Sequence, residues 1–294
     1  MSTNFHRNGR MHARLAVLLL LVSLQVVLVL QSQCVAQSTP RAAHARVYLG
    51  FDRNDYPGDD LLAELHRSFA FTGYWLNNPP GQHSNSWRGK RKRLEREGFG
   101  FLLLYNGRSY AQLKGLRTNP GAGDGELAAR AAREEGFHSG SILFLDQEEG
   151  GRMLEVQRNY VFAWAEAVRR AGYRPGIYCS GIEVTEGDGT VISTARHLHA
   201  LTDGSKLVYW VANDACPPSP GCTTTATVSP ETSGAPFAEV WQYAQSPMRK
   251  KVSQGCPALH NHDGDCMAPG IDAARRLHLD LNSARTPDPS QTRP

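Results

Sequence analysis

An apolar run, Ile142-Leu143-Phe144-Leu145, stops at two carboxylates spaced two residues apart, Asp146 and Glu148. In an extended strand residues i and i+2 share a face. Both acids therefore point to one side, Gln147 points to the other, and Glu149 falls in the following loop. Carboxylates that share a site push each other's pKa values apart, so one holds a proton while the other stays ionised. Cleavage of a glycosidic bond uses that division: a donor for the leaving oxygen, and a base, nucleophile or electrostatic stabiliser. Two more acids sit in apolar segments, Asp52 in "GFD" and Asp280 in "LDLN". A lone strand-end Asp more often meets water or caps a helix. Two same-face acids with others on two further strands favour a site.

Eight strand-like segments carry or accompany these acids, at 45–52, 70–77, 99–106, 141–148, 174–180, 206–213, 239–245 and 277–282. The first six are near-continuous apolar runs, as expected of strands covered on both faces. Helical stretches separate most of them, and the longest is "MLEVQRNYVFAWAEAVRRAG". Its Val156, Tyr160, Val161, Trp164 and Val168 recur at helical spacing and predict one apolar face. Strand–helix alternation with eight repeats predicts an α/β fold, a single (β/α)8 TIM-type barrel over 45–284. Active-site residues of such a barrel gather at the C-terminal strand ends. The first and eighth strands are neighbours there, so Asp52 and Asp280 are expected to line one mouth with Asp146 and Glu148.

The N-terminus is read separately. Arg7, Arg10 and Arg14 precede the apolar Leu15–Leu30, and a polar exit follows with a small residue at Ala36. Residues 1–36 read as a cleaved signal peptide and 37–44 as a linker. The apolar run is short for a membrane span, which leaves a retained anchor as the other reading. The formal net charge of +4 falls to +1 without those three arginines. The basicity thus belongs to the leader, and nucleic acid is not an expected partner. A secreted or periplasmic monomer is expected, with no stable membrane insertion after cleavage. In that oxidising setting Cys216 with Cys222, and Cys256 with Cys266, predict two local disulfides in long Pro/Gly/Ser-rich loops near the C-terminus. Zinc on Cys256, His260, His262 and Cys266 is the competing reading, but the H-x-H spacing is not that of structural zinc sites. No metal site and no cofactor are expected. The tail, 285–294, is polar and Pro-rich and reads as disordered. The basic "RGKRKRLEREG" has Glu95 and Glu97 mixed in and reads as the solvated face of a helix.

Aromatic and amide side chains near strand ends suit a sugar ligand. Tyr74, Tyr178, Trp210, Asn213 and Trp241 are the candidate substrate-binding residues. Ring by ring, core packing is the competing role.

In order, "GFD", "DQE", "GIYCS", "YWVAN", "VWQYAQ" and "LDLN" resemble the lysozyme-like barrels of glycoside hydrolase family 25. They are closer still to the related secreted glycoside hydrolase-like barrel proteins. The likeness runs from Val47 to Asn282. It implies Glu148 as the general acid and Asp146 as the neighbouring carboxylate that orients or stabilises. Asp52 and Asp280 would complete the acidic mouth. The implied substrate is the peptidoglycan glycan strand or a related polysaccharide. The chain departs from the muramidase pattern in "RNDYPG" after Asp52 and in "AFTGYWLNNPP", which has no lysine. A non-catalytic, cell-envelope glycan-binding barrel is therefore the other reading.

Overall fold

The computed structural model describes residues 46–213, 228–244, 277 and 279–292, all within one compact unit, Arg46–Pro294. The eight expected strands are all present: β1 (Tyr48–Asp52), β2 (Phe71–Trp75), β3 (Gly100–Asn106), β4 (Ile142–Gln147), β5 (Arg174–Ser180), β8 (Val208–Ala212), β9 (Val240–Ala244) and β10 (Asp280–Ala284). A small exposed hairpin, β6 (Val184–Thr185) and β7 (Val191–Ile192), stands apart. The sheet closes in the order β1-β10-β9-β8-β5-β4-β3-β2. Closure leaves no edge strand, and the lumen is filled by side chains such as Phe71, Phe144 and Trp210, all fully buried.

One strand departs from a simple βα repeat. β10 runs antiparallel to both β1 and β9, whereas every other barrel pair is parallel. The reversal puts the start of β10, rather than its end, at the mouth. Asp52, the last residue of β1, pairs with Asp280, the first of β10.

The helices are α1 (Leu62–His66), α2 (Arg91–Glu97), α3 (Tyr110–Leu113), α4 (Gly121–Glu134), α5 (Glu155–Arg170) and α6 (Thr194–His199). The apolar face of α5 buries Tyr160, Val161, Trp164 and Val168 as its spacing predicts. Val156 is an exception: it is exposed, and the buried residue of that first turn is Gln157. The glycine-rich "GAGDG" is the first turn of α4 and serves packing. A Cβ on Gly121 would come within 2.3 Å of the Tyr160 carbonyl oxygen, and one on Gly125 within 2.6 Å of that of Trp164. Only hydrogen at these positions lets α4 lie against α5. In α2, Arg91 pairs with Glu95 and Arg93 with Glu97, the solvated face expected of that stretch.

The C-terminal tail corrects an expectation. Residues 285–292 are ordered, and Ser290 and Thr292 are buried. β3 and β4 pair only from Leu103 and Leu143 onward, so Phe101 and Ile142 need other partners. The tail enters that gap. Phe101 N donates to Asp288 Oδ1 (3.0 Å) and Leu103 N to Ser290 Oγ (2.9 Å). Ile142 N donates to the Ser290 carbonyl (2.8 Å), and Ser290 N to the Phe101 carbonyl (2.9 Å). A Ser/Pro/Asp composition that reads as disorder here supplies the hydrogen bonds that finish the closed end of the barrel. Cys216, Cys222, Cys256 and Cys266 lie outside the described residues; Cys179 is a buried free thiol on β5. Among the described residues no helix is long and apolar enough to cross a membrane.

Candidate active site

β4 delivers the acids as its alternation requires. Phe144 packs edge-on against Trp210 in the lumen, with ring centroids 5.8 Å apart. Asp146, two residues on, points the same way and is 4% exposed. Gln147 faces outward and its Nε2 donates to the Arg108 carbonyl (3.0 Å). Glu148 emerges exposed at the rim. Asp146 and Glu148 border a cleft of about 320 Å³ together with Gly81, Asn106, Ser109 and Glu149.

Asp52 is 6% exposed and anchored from the opposite side of the barrel. Its Oδ2 accepts from Asn282 Nδ2 (2.6 Å) and from Gln242 Nε2 (3.0 Å). Both amides are oriented by groups behind them. An indole N–H can only donate, and Trp210 Nε1 donates to Asn282 Oδ1 (2.9 Å). The Tyr178 hydroxyl donates to Gln242 Oε1 (2.7 Å). The indole therefore obliges Asn282 to turn its NH2 toward Asp52, and Gln242 turns its own the same way. Four strands, β5, β8, β9 and β10, thus converge on one carboxylate oxygen.

The electrostatics join the four acids into one site. Asp52 is raised to about 6: burial lifts it most, its two amide donors pull it down, and the charge of Glu148 lifts it again. Asp146 is held well above the usual carboxylate range, first by burial and then by Glu148 and Asp52. Its Oδ1 is buried without a hydrogen-bond partner. Tyr178 is raised by burial and by Asp52, Asp146, Asp280 and Glu148 in turn, so it remains a hydroxyl donor. Asp280 is half-buried, and its charge also reaches Arg53. A buried acid that favours its proton, a second carboxylate held by amides and a third at the rim are the components of acid–base chemistry on a bound polar ligand.

The ring-bearing candidates divide by strand parity. Tyr178 and Trp210 face the lumen, 4.8 Å apart between ring centroids. Trp210 is fully buried and acts as a floor and a donor to Asn282. Tyr74 is not at the mouth: it points outward, its hydroxyl donates to Glu135 (2.6 Å), and its ring packs on Phe101, Phe137 and Trp87. Trp241 also faces outward, fully buried against Tyr243, with Nε1 donating to the Asn213 carbonyl (2.9 Å). Asn213 uses its own Nδ2 on the carbonyls of Gly181 (3.3 Å) and Ser233 (2.8 Å), tying loops together. Side-chain type alone does not separate these three from lumen residues, because a one-residue parity step moves a side chain to the other face of the sheet.

Two residues without an assigned role belong to the site. Asn282 was legible only as the end of "LDLN". Gly73 lies beside Asp52, where a Cβ would come within 2.6 Å of the Asp52 Cβ. A lone glycine inside the apolar "AFTGYW" is the sequence signal of such a close approach.

Comparison with curated proteins found no match. Among solved structures, an uncharacterized B. stearothermophilus protein is similar at 21% identity and a TM-score of 0.49, over 81% of this chain and 95% of that one. The Tat-secreted protein Rv2525c of Mycobacterium tuberculosis is similar at 13% identity and a TM-score of 0.47, over 83% and 96%. The bacterial lysozyme from Streptomyces coelicolor is similar at 13% identity and 0.43, over 80% and 90%. Residues 70–255 match the Rv2525c-like, glycoside hydrolase-like domain, and with more than half its length inside that match the chain belongs to this family.

Proposed function

We propose that the chain is an exported glycoside hydrolase that cuts the glycan strands of peptidoglycan or a related polysaccharide. The observation that carries this reading is the convergence of Asp52, Asp146, Glu148 and Asp280 on Tyr178 at one barrel mouth. In this mechanism Glu148, at the solvent-facing rim, protonates the leaving glycosidic oxygen. Asp52, ionised above a pKa of about 6 and fixed by Asn282 and Gln242, stabilises the positive charge that develops on the sugar ring. Asp146 keeps its proton and offers it as a hydrogen-bond donor beneath the substrate. Asp280 adds negative charge opposite Asp52. The resemblance to glycoside hydrolase family 25 supports the same assignment of Glu148, and the leader-like N-terminus supports export.

The test is release of reducing ends from purified sacculi and a panel of soluble glycans, read by mass spectrometry. Wild type releases them, and Glu148→Gln binds the same glycan without releasing any. Binding by wild type with no release across the panel would replace the hydrolase with a non-catalytic glycan-binding barrel.

A further inference from the structure

Glu148 is followed by a second glutamate, which borders the same cleft but spends its carboxylate on neighbouring elements. Both carboxylate oxygens of Glu149 accept from the backbone N–H of Tyr110, at 2.9 and 2.8 Å. Oε2 also accepts from Gln157 Nε2. Gln157 has no freedom to present its oxygen instead, because its Oε1 accepts from Leu154 N (2.8 Å) at the start of α5. The Glu149 carbonyl accepts from the Thr194 hydroxyl (3.3 Å), which also donates to the Gly151 carbonyl (2.8 Å). Further along the same loop, Met153 N donates to His197 Nδ1 (3.0 Å).

We propose that Glu149 is a positioning residue that fixes the loop carrying Glu148, an inference resting on the hydrolase reading above. One residue after the proposed acid, the backbone is clamped to α3 through Tyr110, to α5 through Gln157 and to α6 through Thr194. Glu148 has little support of its own, because it is exposed and its strand ends at Gln147. Its placement therefore depends on its neighbour. The chemistry also explains why a carboxylate stands at 149 rather than an amide. The Tyr110 N–H faces both oxygens, and Gln157 reaches one of them. A glutamine would set its own NH2 against the Tyr110 N–H whichever way it turned, and only a carboxylate avoids that.

Glu149→Ala is expected to lower kcat about ten- to hundred-fold with KM within about twofold, the signature of a displaced acid with an intact glycan cleft. Glu149→Gln should fall between Ala and wild type, since it keeps one acceptor. Gln157→Ala should reproduce part of the loss, and the double variant should be no worse than Glu149→Ala alone. Wild-type kcat in Glu149→Ala, or a loss in which KM rises in proportion, overturns the proposal. Amide hydrogen exchange of the full chain supplies a readout independent of turnover. Glu149→Ala should speed exchange at Tyr110 and across 148–153 while leaving β3 and β4 protected, and unchanged exchange at Tyr110 also overturns it. If wild type releases no reducing ends, the hydrolase reading fails, and the exchange measurement alone then decides the clamp.

Discussion

Asp146 and Asp288 set their carboxyl groups at opposite ends of one barrel, and they are treated in opposite ways. At the closed end Asp288 is fully engaged. Oδ1 accepts from Phe101 N (3.0 Å), Oδ2 from Thr292 N (2.7 Å), and the Thr292 hydroxyl donates to both. At the mouth Asp146 is buried with Oδ1 unpartnered, beside two other acids that raise its pKa. A buried polar group left without a partner costs about 1–3 kcal/mol. The chain bears that cost where a ligand would supply the missing partner and avoids it where only the fold is served. The same residue type thus serves stability at one end and, in the proposed mechanism, chemistry at the other.

That contrast can be broken at either end. The largest expected effect is Glu148→Gln, which should lower turnover about a thousand-fold, within the range of a lost general acid, and leave thermal unfolding unchanged. Next comes Asp52→Asn. The folded pKa of Asp52 is about 6 against 3.8 for an ordinary Asp, so the unfolded chain binds fewer protons between those values. Its contribution to stability is therefore greatest below pH about 4 and declines as pH rises to about 6, by about 3 kcal/mol at most. Asp52→Asn should remove that decline, raising the midpoint of thermal unfolding at pH 7 while lowering kcat, and the gain should vanish near pH 4.

Asp288→Ala should do the reverse. A loss of about 1–3 kcal/mol in urea unfolding is expected, with kcat within twofold of wild type. Lost turnover at unchanged stability would erase the distinction between the two ends. The smallest effect is the finest probe. Asn282→Ala removes a donor that lowers the pKa of Asp52, so the acid limb of the kcat/KM profile should move upward from about pH 6 by roughly half to one unit. A downward shift would mean that the limb belongs to another group.

Much of this was legible in the sequence, for identifiable reasons. Apolar runs bounded by glycine, asparagine or acid predicted eight strands, because burial on both faces imposes that pattern. The i, i+2 spacing placed Asp146 and Glu148 on one face, and Asp52 and Asp280 proved to be register partners. What escaped was information that a run of residue types does not carry. Strand direction leaves no trace in an apolar run, so the reversal of β10 was invisible. Tyr74 and Trp241 are aromatic whichever face they occupy, and only the pairing register fixed them outward. In the tail, Ser, Pro and Asp look alike in sequence whether solvated or spent on backbone hydrogen bonds. The disulfides expected of Cys216 with Cys222 and of Cys256 with Cys266 fall outside the described residues.

The closing strand and the tail carry a consequence for the order of folding. The bond from Asn282 to Asp52 spans 230 residues, and those from the tail to β3 span 187. Contacts between segments so distant in sequence are slow to form, because the intervening chain must be ordered before they contribute. The first strand ends in a carboxylate whose two amide partners, Gln242 and Asn282, lie 190 and 230 residues further on. A chain clipped before residue 280 lacks Asp280 and Asn282 and cannot complete the acidic mouth. Segment 280–292 completes both ends of the barrel, so competence at the mouth reports that this segment has docked.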